Sequence, residues 1–190
     1  LALYQEAYYL NPDYGQGNVL DKIMNLDKEL ALPFFKEAIA KTPAWSVSKG
    51  RACVILGDLL GGTGDEAKAA YAEAIKVNED YGVQAGKRLL TQAKDADSLL
   101  AIKNEILLLS SLYPSSSAAR EIVTELSNRL RKADKATEAT AVLAPQKPAE
   151  GFPAAYRRFA AAMAAKDAAK SVEALKEIQK DSMALIPPTW

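Results

Sequence analysis

The side chains that most often carry enzyme chemistry are nearly absent from this sequence. The 190 residues include no His and a single Cys, Cys53. Without imidazole the chain cannot supply a Ser-His-Asp or Cys-His catalytic site, and one thiol excludes an intrachain disulfide, a four-cysteine zinc site and an iron–sulfur cluster. Because the residues around Cys53 are small or apolar, we predict a buried thiol rather than a reactive one. We therefore expect a protein without enzymatic activity, cofactor or metal.

Two further patterns could in principle bind or activate a ligand. The glycine-rich run at residues 57–64, GDLLGGTG, lacks the Gly-Lys-Ser/Thr ending of a phosphate-binding loop and follows a predicted helix, so a turn between helices is favoured. The carboxylate pairs Glu79/Asp80 and Asp95/Asp97 fall at predicted helix ends. Acidic residues are common there as caps, and this role is favoured over acid–base catalysis or metal binding.

The charge balance gives no reason to expect nucleic acid as a partner. The 24 Lys and Arg residues balance 24 Asp and Glu residues, and the isoelectric point is about 6.6. This balance removes a broad attraction to polyanions. Short basic clusters at residues 129–132 and 157–158 have acidic neighbours, and we interpret them as solvated helix faces.

Membrane insertion is not expected either. The sequence has no apolar run of about 18 or more residues and no charged-then-apolar leader, which favours a soluble chain. Because the sequence starts at Leu1, a fragment or a processed product stays open. Cytoplasm and periplasm both stay open as compartments, and so does the oligomeric state.

Internal repetition is the strongest pattern in the sequence. Four segments place a large apolar or aromatic residue three positions before a small or apolar one, and a terminating residue five positions later. The four sets are Tyr4, Ala7 and Pro12; Phe35, Ala38 and Pro43; Tyr71, Ala74 and Glu79; and Ile106, Leu109 and Pro114. Ala31, Ala67 and Ile102 extend three of the sets by one helical turn. The sets recur about every 34 residues.

This spacing predicts amphipathic helices, each preceded by a second helix that packs antiparallel to it. One such pair does not bury its apolar face alone, so neighbouring pairs must stack. No segment alternates apolar and polar residues with a period of two, so no sheet is expected. The predicted fold class is all-α.

The repeat resembles the tetratricopeptide repeat family, whose unit is a helix–turn–helix of about 34 residues. The best-matching unit is LGDLLGGTGDEAKAAYAEAIKVNED. In this unit Leu56-Gly57 resembles the Leu-Gly pair of the first helix, and Ala67, Tyr71 and Ala74 resemble the signature of the second. An acidic residue replaces the family's terminal Pro, and the turn GGTGD is about two residues shorter than usual. The opening segment LYQEAYYLNPD resembles a second helix whose first helix is missing.

The resemblance implies a right-handed superhelical stack of antiparallel helix pairs, a TPR-like α-solenoid. We expect repeats over residues 1–143 that start in mid-repeat, a Pro-rich linker or hinge at 144–153, and a terminal helix pair with a tail at 154–190. Beyond Pro114 the predicted helices cover residues 117–131, 134–143, 154–165 and 167–181.

Several local details are also predicted. Ala168, Val172 and Leu175 are expected to form the apolar face of the last helix, and Asp97 and Ser98 to cap the helix over residues 99–112. Four tyrosines near the start, half of them expected in the core, are Tyr4, Tyr8, Tyr9 and Tyr14. For the others, exposure at the open end of the stack and contact with a partner stay equally open.

Stacks of this family present the first helices of successive repeats along a concave groove, where peptides or partner helices lie. The resemblance implies a set of polar groove residues: Arg51 and Asp58 in the second unit, Gln84, Lys87, Arg88 and Thr91 on a helix over 82–93, and Glu121 and Glu125 in the fourth. One subfamily clamps a C-terminal carboxylate with converging cationic and Asn side chains. The negative charge of Asp58 opposes that activity.

The sequence therefore predicts a non-catalytic scaffold that binds a peptide or a partner protein in the groove of a TPR stack. An accessory helical domain of a larger enzyme, or of an envelope or transport assembly, is the alternative. A closed helical bundle without a groove is a third hypothesis.

Overall fold

The fold is described by a computed structural model that covers residues 2–10, 18–43, 46–62, 64–144, 158 and 166–183. The helices in these ranges are α1 (Ala2–Leu10), α2 (Asn18–Met24), α3 (Lys28–Lys41), α4 (Val47–Leu59), α5 (Asp65–Val77), α6 (Glu79–Gln92), α7 (Ala96–Ala101), α8 (Lys103–Leu112), α9 (Ser117–Lys132), α10 (Ala136–Leu143) and α11 (Ala168–Met183). The described residues contain no strand, and the all-α prediction is confirmed for them.

Helix starts in this chain are set mainly by short polar side chains. Asp27, Asn78, Asp95 and Ser116 precede α3, α6, α7 and α9, and each accepts a hydrogen bond from a backbone N–H of the first turn at 2.8–3.1 Å. Such caps satisfy amides that have no partner inside the helix. The bounds of α9 and α10 agree with the predicted helices to within two residues.

Consecutive helices pack against each other from α1 to α6 and again from α7 to α10. A second set of contacts joins α2 to α4, α4 to α6 and α6 to α9, and α5 also contacts α8. The helices α2, α4, α6 and α9 therefore contact one another in succession. We call α2, α4, α6 and α9 the inner row.

The predicted repeat positions form the core in three of the four segments. The buried members, each at most 3% exposed, are Ala31, Phe35, Ala38, Ala67, Tyr71, Ala74, Ile102, Ile106 and Leu109. Their spacing of three and four residues places them on one helix face, so the local pattern is sufficient to predict their burial.

The first segment departs from the prediction. Tyr4 is 39% exposed and Ala7 is exposed, whereas Tyr8 is fully buried. The ring of Tyr8 packs edge-on against Phe34 at 5.4 Å, and its hydroxyl lies 2.8 Å from Oγ1 of Thr42. A buried tyrosine needs a polar partner for its hydroxyl, and here that partner lies 34 residues away.

Two details of later helices were also predicted wrongly. At the start of α7, Ser98 takes part in capping as predicted, in a reciprocal capping box with Asp95, but Asp97 does not cap the helix, and the predicted single helix is interrupted at Ile102. Among residues 168–177 of α11, whose burial is described, Ser171 and Ala174 are buried, whereas Val172 and Leu175 are 50% and 45% exposed. The face of α11 that is buried is therefore rotated by one residue from the expected face.

Some predictions fall outside the described residues. These are the linker beyond Ala144, the helix at 154–165 apart from residue 158, the tail at 184–190, and the side chains of Pro12 and Tyr14.

The glycine-rich run ends α4 and turns the chain into α5, as predicted. Gly61 and Gly62 have φ values of +80° and +73°, which L side chains rarely adopt. Gly57 has a different role inside α4, because a Cβ placed there would lie 2.4 Å from Cε1 of the buried Tyr71 ring. The small residue allows α4 and α5 to pack closely.

Substitution of this glycine tests the close packing of α4 on α5. We expect Gly57→Ala to lower the free energy of unfolding by about 1–2 kcal/mol, because overpacking costs about 1–3 kcal/mol and the helix propensity of Ala offsets at most about 1 kcal/mol. Gly64→Ala is the matched control, since a Cβ there would meet no atom within 4 Å and the backbone φ is −77°, which an L residue adopts without strain. Urea denaturation of both variants measures the difference. Equal stability of wild type and Gly57→Ala would contradict the close packing.

Candidate partner-binding surface

Three helices of the inner row line an open recess that contains four of the predicted groove residues. Its volume is about 310 Å³. The lining side chains come from α2, α4 and α6 and are Asp21, Met24, Arg51, Val54, Ile55, Asp58, Tyr81, Gln84 and Arg88. We call it the central recess. On α4 the lining residues follow a spacing of three and four, and on α6 they lie three and four residues apart, so each helix presents one face to the recess.

The charges in the central recess are paired across helices. Nη2 of Arg51 on α4 lies 2.6 Å from Oδ1 of Asp21 on α2. Nε of Arg88 on α6 lies 3.1 Å from Oδ1 of Asp58 on α4. Each ion pair joins two members of the inner row, and the four charges of the recess sum to zero.

The carboxylate of Asp58 is oriented by a hydrogen bond from the buried side chain of Tyr71. The hydroxyl of Tyr71 donates to Oδ1 of Asp58 at 2.7 Å and accepts from Nε2 of Gln92 at 3.3 Å. Burial, and then the hydrogen bond to the Asp58 carboxylate, raise the pKa of Tyr71 to about 12. The phenol therefore stays protonated and continues to donate at neutral pH. The core of the α4–α5 pair thus orients a charge on the surface.

A second recess of about 320 Å³ adjoins the first and shares Tyr81 and Gln84 with it. Its lining residues are Val47, Glu79, Asp80, Tyr81, Val83, Gln84 and Ala118, which extends the surface to α9. We call this the outer recess, and the two recesses together the trough. Tyr81 lines both recesses, and burial raises the pKa of its hydroxyl; the charge of Arg51 lowers this pKa, and that of Asp80 raises it further.

The other four predicted groove residues line neither recess. Lys87 and Thr91 are exposed on α6, and the Thr91 hydroxyl donates to the Lys87 carbonyl at 2.8 Å. Glu121 and Glu125 are exposed on α9, and Glu125 accepts a bond from Nε of Arg129 at 2.7 Å. The helix expected at 82–93 covers Glu79–Gln92 instead, so that Tyr81 joins the trough-facing residues.

The contribution of α2 to the recess was not predicted. A helix before α3 follows from the repeat pattern, but Asp21 and Met24 of this seven-residue helix were not among the expected groove residues. The apolar lining from Val54, Ile55 and Tyr81 was open to prediction, because these residues lie at helical spacing from the predicted polar ones.

The basic cluster at residues 129–132 differs from its prediction. Arg131 and Lys132 are exposed, as a solvated face requires. Nη1 of Arg129, however, donates to the carbonyls of Leu90 and Ala93 at 2.6 and 3.5 Å. A cation at the end of α6 is favoured by the unpaired carbonyls there. Arg129 therefore ties α9 to α6 within the inner row.

Cys53 is fully buried, as predicted. Burial, and then the nearby charge of Glu73, raise the pKa of its thiol to about 12, with Lys49 acting in the opposite direction. Lys49 and Glu73 themselves form an ion pair at 3.4 Å. The thiol is therefore protonated and shielded, which is the opposite of what a nucleophile needs.

Other kinds of site find no support in the part of the chain that the structure describes. Within it, His, Cys, Asp and Glu side chains form no group of three or more that could hold a metal ion. No helix in the same ranges combines the length and apolar character needed to cross a bilayer. Comparisons of the chain with protein-family models, with curated proteins and with solved structures found no match. Function is therefore inferred from this surface alone.

Proposed function

We propose that the chain is a non-catalytic, tetratricopeptide-like α-solenoid that binds a segment of a partner protein in the trough. The proposal includes a right-handed superhelical stack, with the inner row as the first helices of successive repeats. It is supported by the succession of contacts from α2 to α4, α6 and α9, which is the succession that stacked repeats require.

The observation that carries the proposal is the convergence of three helices on the central recess. Arg51 and Asp58 come from α4, Gln84 and Arg88 from α6, and Asp21 from α2. Two recesses of slightly more than 300 Å³ are at the lower end of the size range of ligand sites, and each accommodates side chains of an extended peptide. Tyr and Arg are also the residue types enriched among those that dominate binding energy at interfaces.

The two ion pairs favour a surface that is organised before binding. Arg51 is held by Asp21, and Arg88 by Asp58, so these long side chains lose less conformational freedom when a ligand arrives. The pairing also leaves no uncompensated cation in the central recess, which speaks against a clamp for a C-terminal carboxylate there.

A blocking substitution tests the proposed function. Gln84 is exposed and lines both recesses, so Gln84→Trp should fill the trough without entering the core. Ligands are first selected from a random peptide display library on the purified chain, and their affinity is then measured by fluorescence anisotropy. We expect Gln84→Trp to weaken binding by about tenfold or more, equivalent to about 1.4 kcal/mol.

The matched control is Ala69→Trp, an exposed position on α5, outside the inner row. It adds the same indole but should leave peptide affinity unchanged, and both variants should melt near the wild-type temperature. A library that yields no ligand, or ligands that bind Gln84→Trp as well as wild type, would rule out the trough as the binding site.

A further inference from the structure

Uncompensated charge in the trough is confined to the outer recess. The four charges of the central recess cancel in the pairs Asp21–Arg51 and Asp58–Arg88. Glu79 and Asp80, by contrast, form no ion pair with any residue that the structure describes. The trough as a whole therefore has a net negative charge at the end where α6 begins.

The negative charges of Glu79 and Asp80 are not needed to cap α6, the helix on which they lie. The cap of α6 is Asn78, whose Oδ1 accepts the Tyr81 N–H at 2.9 Å, so neither carboxylate is needed for capping. The partial positive charge at a helix start is about half an elementary charge, which offsets only part of two full negative charges. An electrostatic preference for a cationic ligand remains.

Apolar surface lies in the same recess as these carboxylates. Val47 is 40% exposed although its side chain is a large aliphatic one, and it lines the outer recess together with Tyr81. A ligand that presents an apolar side chain next to a cationic one matches both features. An acidic peptide or a nucleic acid would bring like charge to Glu79 and Asp80 and is disfavoured.

On the basis of the proposed function, we infer that the trough binds a cationic segment of a partner protein. A Lys or Arg side chain of that segment pairs with Glu79 and Asp80, and a neighbouring apolar side chain covers Val47 and Tyr81. The central recess, with its balanced charges, then receives the flanking residues of the segment.

The test uses the peptides that the display library yields and a charge-removing double variant, Glu79→Gln with Asp80→Asn. The matched control is Glu29→Gln with Asp97→Asn, because these exposed acids also lie in the first turns of helices, α3 and α7, but outside the trough. We expect the selected peptides to be enriched in Lys or Arg beside an apolar residue. Loss of both carboxylates should raise the Kd by about tenfold, since each exposed ion pair contributes up to about a fivefold change.

Ionic strength provides a second measurement. Between about 0.05 and 0.5 M NaCl, binding to wild type and to the control should weaken, whereas binding to the charge-removing variant should change much less. Peptides that Gln84→Trp excludes but that carry no basic enrichment, or that bind the charge-removing variant with unchanged Kd, would overturn this inference and leave the proposed function standing. Failure to select any peptide would overturn both.

Discussion

Tyr71→Ala should lower the free energy of unfolding by about 3–5 kcal/mol, which is the usual cost of removing a buried aromatic side chain. The ring is fully buried between α4 and α5 and lies against the position where a Cβ on Gly57 would be. Because Gly57 has no side chain, the residue that faces the ring cannot fill the cavity. The variant also removes the hydroxyl that holds Asp58 and Gln92.

The control for this variant is Tyr71→Phe, which keeps the ring and removes only the hydroxyl. Its expected loss is about 1.5–3 kcal/mol, because the hydrogen bonds to the Asp58 carboxylate and to Gln92 are lost while the packing is retained. Urea denaturation monitored by circular dichroism separates the two effects. Similar losses for Ala and Phe would show that the hydroxyl, not the ring, stabilises the pair, and this result would falsify the packing role assigned to Tyr71.

Leu109→Ala is expected to cost about 2–5 kcal/mol for a related reason. Leu109 is fully buried, and its two terminal methyl groups lie against Gly82 and Gly86 of α6, with 3.1 and 3.0 Å to the positions where a Cβ would be. Leu109 therefore packs α8 against α6 at two glycines, where α6 has no side chain between the two helices. Leu143→Ala, at a side chain that is 48% exposed, is the control and should cost much less.

A double-mutant cycle with Gly86→Ala makes this prediction specific to the contact. Alone, Gly86→Ala pushes a methyl group toward Leu109 and should destabilise the fold. In the Leu109→Ala background the same methyl group enters the vacated space, so the double variant should be more stable than the sum of the single losses by about 0.5–3 kcal/mol. Additive losses would show that Leu109 and Gly86 do not share one packing site.

The trough-facing residues were only partly open to prediction. Arg51 and Asp58 lie seven residues apart on α4, and Gln84 and Arg88 lie four apart on α6, so helical periodicity places each pair on one face. Lys87 and Thr91 satisfy the same polar criterion, yet they lie outside both recesses. A periodic pattern identifies the polar face of a helix. Which part of that face lines a recess depends on the angles at which neighbouring helices pack, and residues close in sequence do not determine those angles.

The fold, too, was predictable where it depends on local spacing and not where it depends on distant residues. Periodic burial of Phe35, Tyr71 and Ile106 follows from local spacing, because residues three or four apart share a helix face whatever the helix packs against. The choice of Tyr8 over Tyr4 depended on Thr42, a partner 34 residues away, and the role of Arg129 depended on the Leu90 carbonyl, 39 residues away. Contacts of that kind satisfy buried polar groups across helices, so they exist only once the helices have been brought together.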